Sequence, residues 1–426
     1  MAGTMRVSVL PLQTLMAASS FLFLGTMALM LFHPPDIHFS LDRFAFALLI
    51  FVVLLRACVL REPLELAGAV TLPMLALLLL AFHDSLEHPY ETETWSLFAA
   101  KWLVPFVLYQ LAGLVFRDAG SLRRLEVFSL VVLAYLSLIA IFFMAGAREL
   151  IFPPYILDEG LGYHADRARG PFLQAVANGV TLNLLGLIAL DSLRRRRLRA
   201  GLALFFFIAL PLAIVATRTR AVWLSFAGSV VYLLFFSTSL RVRRVCFALV
   251  VAGALGLGIF ASLSDQRTSL AERLEESGPV KFRMEVYEAG WTMFLQKPLT
   301  GWGAVAMTDE LDRRVSDFHQ EHFYFHNTFL EILVEYGLIG LALYLWLVVD
   351  LFRLGKKQLR PELSSNTFMD SHFRSLWPLL LAVYFANAMM VVMNYQFVNG
   401  FVFTLAGVLA AQNRWRGESP IHVLAS

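Results

Sequence analysis

The sequence predicts an all-α, polytopic membrane protein. Of its 426 residues 58% are hydrophobic and only 16% charged, with a mean hydropathy of +0.66. A soluble chain of this length needs more charge to cover its surface. Apolar stretches of bilayer length recur almost from end to end, which is the pattern of helices bundled in lipid. The net charge of +3 matters less than where the charges fall.

About twelve transmembrane helices are expected, near 14–32, 44–60, 65–82, 95–116, 125–145, 172–190, 201–216, 221–239, 245–262, 328–351, 376–393 and 398–412. Several are short or carry a charge, as suits helices shielded by neighbours rather than by lipid. The chain thus divides into helices 1–9 over 1–262, a long loop over 263–327, and helices 10–12 with a short tail over 328–426. Met1 to Arg6 and the apolar run after them resemble a signal peptide, but no small-residue cleavage site follows, so this is read as a retained first span. Cys58 and Cys246 lie far apart in apolar runs, which argues against a disulfide framework or a thiolate metal site.

Orientation follows from the basic residues. One alternating set of loops holds 21 of the 35 Lys and Arg, including Arg123, Arg124, the run "RRRRLR" at 194–199 and "RLGKKQLR" at 353–360. The excess marks these loops, and both termini, as cytoplasmic. The long loop therefore faces outward. So does the turn in "ATRTRAVWLSF" (216–226), which places Arg218 and Arg220 against the usual bias. Arg167, Arg169, Arg148, Arg43 and Lys101 share that outward side. A single such cation is ordinarily explained by snorkelling to lipid phosphates. Several converging at the hydrocarbon edge point to function.

The long loop reads as partly helical. "TSLAERLEES" (268–277) carries a cap at Thr268 or Ser269 followed by acidic residues. "VKFRMEVYEAGWTMFLQ" (280–296) spaces Val280, Met284, Tyr287, Trp291 and Phe294 along one apolar face, with Arg283 on its flank. "KPLTGWGA" (297–304) makes a turn. His319, His322 and His326 follow, and His322 and His326 share a helical face if the helix already runs there. The "HExxH" order is absent, and structural roles are the commoner fate of such histidines, so no metal is expected. Glu331 and Glu335 lie one and two turns inside the next span, placed to neutralise outward arginines or, alternatively, to relay protons.

These residues carry a resemblance. "RMEVYEAGWTMFLQKPLTGWG" (283–303) followed by "HNTFLEILVEYGLIG" (326–340) resembles the signature of the O-antigen ligase and polymerase superfamily. "TRAVWLSF" (219–226) is similar to its "S-R-x-x-x-L" element, with Thr219 in place of Ser, and "RARGPFLQAVANG" (167–179) to a looser one. The resemblance implies a GT-C-type, inverting glycosyltransferase at the periplasmic face of the bacterial inner membrane. Its donor would be a glycan on undecaprenyl diphosphate and its acceptor, for a ligase, lipid A–core. The invariant His maps to His326, and the diphosphate-binding arginines to Arg220 and Arg283, with Arg167 a weaker match. Arg218 is a further candidate for the diphosphate, and Asn327, Glu331, His322 and Arg169 are supporting candidates.

The chemistry is coherent. A diphosphate leaving group needs no general acid where guanidinium forks hold its charge. A neutral imidazole, kept unprotonated by nearby arginines, can accept the acceptor's proton or simply orient it. No cofactor is expected, since the outer loops lack a "D-x-D" element, and no nucleic-acid partner is expected beside the glycan substrates and membrane lipids. The rival readings are a polymerase of the same superfamily, a twelve-helix secondary transporter, and a non-catalytic scaffold. Against the transporter, no pair of interrupted helices recurs in matching halves.

Overall fold

A computed structural model of the chain describes residues 9–33, 41–61, 68–162, 164–262, 278–315, 324–356 and 367–414. Its α-helices are α1 (Val9–Leu31), α2 (Leu41–Leu60), α3 (Thr71–Glu87), α4 (Thr92–Phe98), α5 (Val104–Val115), α6 (Ala119–Met144), α7 (Ala175–Arg194), α8 (Ala200–Ala216), α9 (Arg220–Phe236), α10 (Leu240–Ser262), α11 (Gly278–Gln296), α12 (Ala304–Arg314), α13 (Thr328–Leu354), α14 (Ser371–Ala388) and α15 (Gln396–Arg414). A π-helical turn, Ala99–Leu103, joins α4 to α5. The described residues contain no strand.

A helix occupies each of the twelve expected stretches. Among the described residues, four helical segments are by length and composition apolar enough to cross a membrane: Thr92–Val115, Ala119–Met144, Ala175–Arg194 and Thr328–Leu354. Shorter apolar helices include α9, whose exposed Leu224, Phe235 and Phe236 are what a helix facing lipid presents.

Small residues let the helices approach. A Cβ on Gly407 of α15 would collide with the Tyr109 carbonyl on α5, and Gly113 of α5 lies against Ala411 in return. The central helix is α7, buried along most of its length. Gly179 receives Val222 of α9 and Gly186 receives Leu210 of α8. Where α6 begins, Asp118 caps it, accepting from the backbone N–H of Gly120 and Ser121 at 2.8 and 2.9 Å.

The far end of α7 is locked by ions. Arg195 donates to Glu126 of α6 at 2.8 Å and to Asp191 at 2.9 Å, and Arg194 reaches Asp370 at the start of α14 at 2.7 Å. Two arginines of the run expected in a solvated loop are therefore built into helix packing. Removing Arg194 would leave the buried Asp370 without an ion pair among the described residues, whereas Glu126 and Asp191 each keep a second arginine if Arg195 is lost.

The segments after α10 form a second, smaller core. Val286, Met293 and Phe294 of α11 pack with Met307 and Leu311 of α12, Phe325, and Val334 of α13. This corrects the expected face of α11. Met284 and Trp291 are 67% and 53% exposed, while Val286 and Gly290 are buried. The helix has two apolar faces, and Gly290 decides which one packs, because its bare surface admits the Phe325 ring. The segment 268–277 lies outside the described residues.

Helix α13 is interrupted at Gly337, whose φ of 64° and ψ of −160° are open to glycine but strained for other residues. The "KPLTGWG" turn fills the break. Trp302 and Gly303 donate to the carbonyls of Val334 and Glu335 at 3.0 and 2.9 Å, and Leu338 donates to Pro298 at 2.9 Å. The two glycines of the turn, with φ of 72° and 76°, allow that docking. Backbone groups freed by the break thus find partners, as a break inside a membrane protein requires.

Candidate functional site

His326 lies in the short link between Phe325, seated on Gly290, and Asn327, the N-cap of α13. Asn327 accepts from the N–H of Phe329 and Leu330 at 3.0 and 3.3 Å, so its side chain is used to start the helix. Thr328 then donates to the Val391 carbonyl at 3.0 Å and accepts from the Met393 N–H at 3.1 Å, pinning the link to the turn after α14. His326 itself takes a left-handed φ of 51°, and its half-buried ring stands edge-on to Phe282 at 6.4 Å. Loss of solvation, then the Arg283 charge and then His164, push its pKa down to about 4, so the imidazole is neutral at physiological pH.

Arg283 is half-buried on α11 and donates to the Met390 sulfur at 3.7 Å. The loop before α7 also comes within electrostatic reach of His326, through His164. Arg169 shapes it from inside: fully buried, it donates to the Ile156 carbonyl at 3.0 Å and to the carbonyls of Asp158 and Leu161. Asn178 of α7 donates to the Ala168 carbonyl at 2.8 Å, and the Ala168 N–H to the Ala216 carbonyl at 3.1 Å. The loop is thereby stitched to the ends of α7 and α8. It presents His164, whose pKa is lowered by partial burial and then by Arg167, with Asp166 opposing.

Asp166 stands 3.9 Å from Arg167 and 3.8 Å from Arg218. Both contacts are long and solvent-exposed, so they hold weakly and open readily to a stronger anion. Arg220, exposed, opens α9 two residues beyond Arg218. The sequence-predicted residues thus form a linked set, from Arg283 through His326, His164 and Arg167 to Asp166 and Arg218. Arg220 sits at the same helix ends but outside these pairings. Arg169 and Asn327 are engaged in holding backbone. His322 lies outside the described residues.

Glu331 and Glu335 do not pair with the outward arginines. Lys101, on the π turn, donates to both at 2.9 Å, and all three side chains are at least nine-tenths buried. In the same cavity wall, Asp84 of α3 accepts the Ala304 N–H at 2.9 Å, tying α12 to α3. A cavity of about 60 Å³ lies among these groups and Phe325. Among the described residues no group of three or more His, Cys, Asp or Glu side chains forms a metal-ligand set.

Sequence reasoning missed His164 and Asp166. Both follow from "HADRARG" (164–170) only if the whole segment, rather than its arginines, is taken as the site. It counted Lys101 among outward cations without its partners.

Residues 202–345 match the family model described as O-antigen ligase. No curated protein matches the chain. The matched span holds Arg218, Arg220, Arg283, His326, Asn327, Glu331 and the break in α13 at Gly337, while His164 and Arg167 lie before it. With its apolar helices the chain is a multi-pass membrane protein, and over residues 202–345 it is similar to the O-antigen ligase family, which supports a relationship to the O-antigen ligase and polymerase superfamily.

Proposed function

We propose that this protein is an O-antigen ligase, a GT-C-type enzyme that moves a glycan from undecaprenyl diphosphate to lipid A–core at the periplasmic face of the inner membrane. The observation that carries this reading is the neutral, half-buried His326 within electrostatic reach of Arg283 and His164, the latter itself within reach of Arg167. That arrangement suits a leaving group with two phosphates better than it suits a transported solute.

In the proposed reaction an acceptor hydroxyl attacks the anomeric carbon from the face opposite the diphosphate. The carbon–oxygen bond to phosphate breaks and configuration inverts. The hydroxyl proton passes to His326. Charge gathering on the departing diphosphate is held by Arg283, Arg167, Arg218 and Arg220, with Asp166 displaced from its weak pairs. A base held near pKa 4 is weak while the site is empty. The arriving diphosphate opposes the Arg283 field and raises its basicity, so the base strengthens when the donor is bound. The arginines do for phosphate what a divalent cation does elsewhere.

The test is transfer by the purified protein from a lipid-linked glycan to lipid A–core, with loss in His326→Ala. Removing the gene gives the companion readout. Unsubstituted core beside intact lipid-linked polymer supports the ligase; core bearing a single repeat shows a polymerase instead. Solute uptake by proteoliposomes without any transfer would show a transporter.

A further inference from the structure

Two cavities meet at the end of the bundle opposite His326. The larger, about 600 Å³, lies between the last turns of α7 and α9 and the first turn of α14. Lys356, His372, Arg194 and Arg374 face it, with the hydroxyls of Ser237, Thr238, Ser371 and Ser375. The smaller, about 260 Å³, runs between α7, α8, α9 and α10 and is almost wholly apolar, with Leu187, Phe207, Pro211 and Leu249 in its wall. Leu190 and Leu233 line both, so the polar chamber opens beside an apolar shaft.

Among the described residues, Lys356 brings the chamber a positive charge that no ion pair answers. Arg194 is held by Asp191 and Asp370, and Arg374 by the side chains of Gln412 and Asn413. Lys356 has no ion-pair partner among the described residues, and the His372 ring lines the same chamber. Its depth also fits. The 20 residues of α7 separate it from the loop that carries His164. That is about 30 Å of helix, the thickness of the hydrocarbon core. The chamber therefore lies at the headgroup level of the leaflet opposite His326.

We propose that this crevice binds an anionic phospholipid, its phosphate beside Lys356 and His372 and an acyl chain in the apolar shaft. Free phosphate suits the chamber but gains nothing from the shaft. A zwitterionic lipid suits the shaft but brings an ammonium group to a chamber already cationic. The site is separate from the proposed donor site and stands whether or not that reading holds.

The test uses the delipidated full-length protein, with thermal unfolding and native mass spectrometry in phosphatidylglycerol, phosphatidylcholine or inorganic phosphate. Phosphatidylglycerol is expected to be retained and to raise the unfolding midpoint, while the other two do neither. Lys356→Ala, at an exposed position, should fold normally and lower phosphatidylglycerol retention about fivefold. Leu233→Trp should lower it by filling the shaft. Equal retention of the two lipids overturns the proposal, as does an equal midpoint rise with phosphate alone. Unchanged retention in both variants overturns it too.

Discussion

Lys101 Nζ stands 2.9 Å from Glu331 Oε1, a contact between residues 230 apart in sequence, and the same ammonium reaches Glu335. It brings the π turn to the first turns of α13, directly behind His326. Removing the lysine leaves two carboxylates in a dry site. Lys101→Met should therefore cost about 3–5 kcal/mol. Adding Glu331→Gln and Glu335→Gln to Lys101→Met should restore much of it. Unfolding midpoints in detergent check both; equal stability of wild type and Lys101→Met would remove the pair from any structural role.

Gly337 admits the Leu299 carbonyl where a Cβ would collide, and it does so at positive φ. Gly337→Ala should lose about 1–3 kcal/mol from backbone strain alone, and more from the collision. The damage should fall on the turn at 298–303, so hydrogen exchange there should rise before it rises in α7.

Arg283→Ala should reduce glycan transfer by about 10²–10³, the usual effect of deleting one fixed group that stabilises developing charge. Arg283→Lys should recover part of this and no more, because an ammonium lacks the planar fork. Arg218→Lys should be milder, since Arg218 is exposed and shares Asp166. Rates from lipid-linked donor decide; full activity in Arg283→Lys rejects bidentate phosphate contact.

The His326 pKa sets the acid limb of the free-enzyme profile. On the proposed mechanism the neutral imidazole is the active form, so kcat/KM should hold as pH falls through 6.5 and decline only near 4. Arg283→Ala removes a charge that disfavours the imidazolium and should move that decline to higher pH. Stability has the same sign. Because the folded pKa lies below the unfolded value, the unfolded chain binds more protons between about 4 and 6.5, and stability falls as pH drops across that window. A decline already complete at pH 6 in the wild type would refute the neutral-base assignment.

Hydropathy marked twelve stretches in which a helix is found, because a span must satisfy its backbone internally and be apolar enough to do so, whereas α12, polar along most of its length, left no such mark. The site was partly legible. Arg283 and His326 stood in one recognisable block, and the positive-inside exception marked Arg218 and Arg220. Other features were hidden for physical reasons. Periodicity shows that α11 has apolar faces but not which one meets a partner, and that choice rests on Gly290 receiving Phe325. The partner of Glu331 was invisible because a buried ion pair between distant segments leaves no local pattern. His164 was overlooked because its importance comes from its neighbours rather than from its own spacing.

The interruption at Gly337 also has a mechanical consequence. The turn of α13 before it is shared between the two cores: Val334 packs with α11 and α12, while Ile332 and Tyr336 belong to the main bundle. Thr328, two residues past His326, is hydrogen-bonded to the turn after α14. The imidazole is thus tethered to both bodies at once, so a tilt of α11 and α12 would strain that tether rather than carry the ring freely with it.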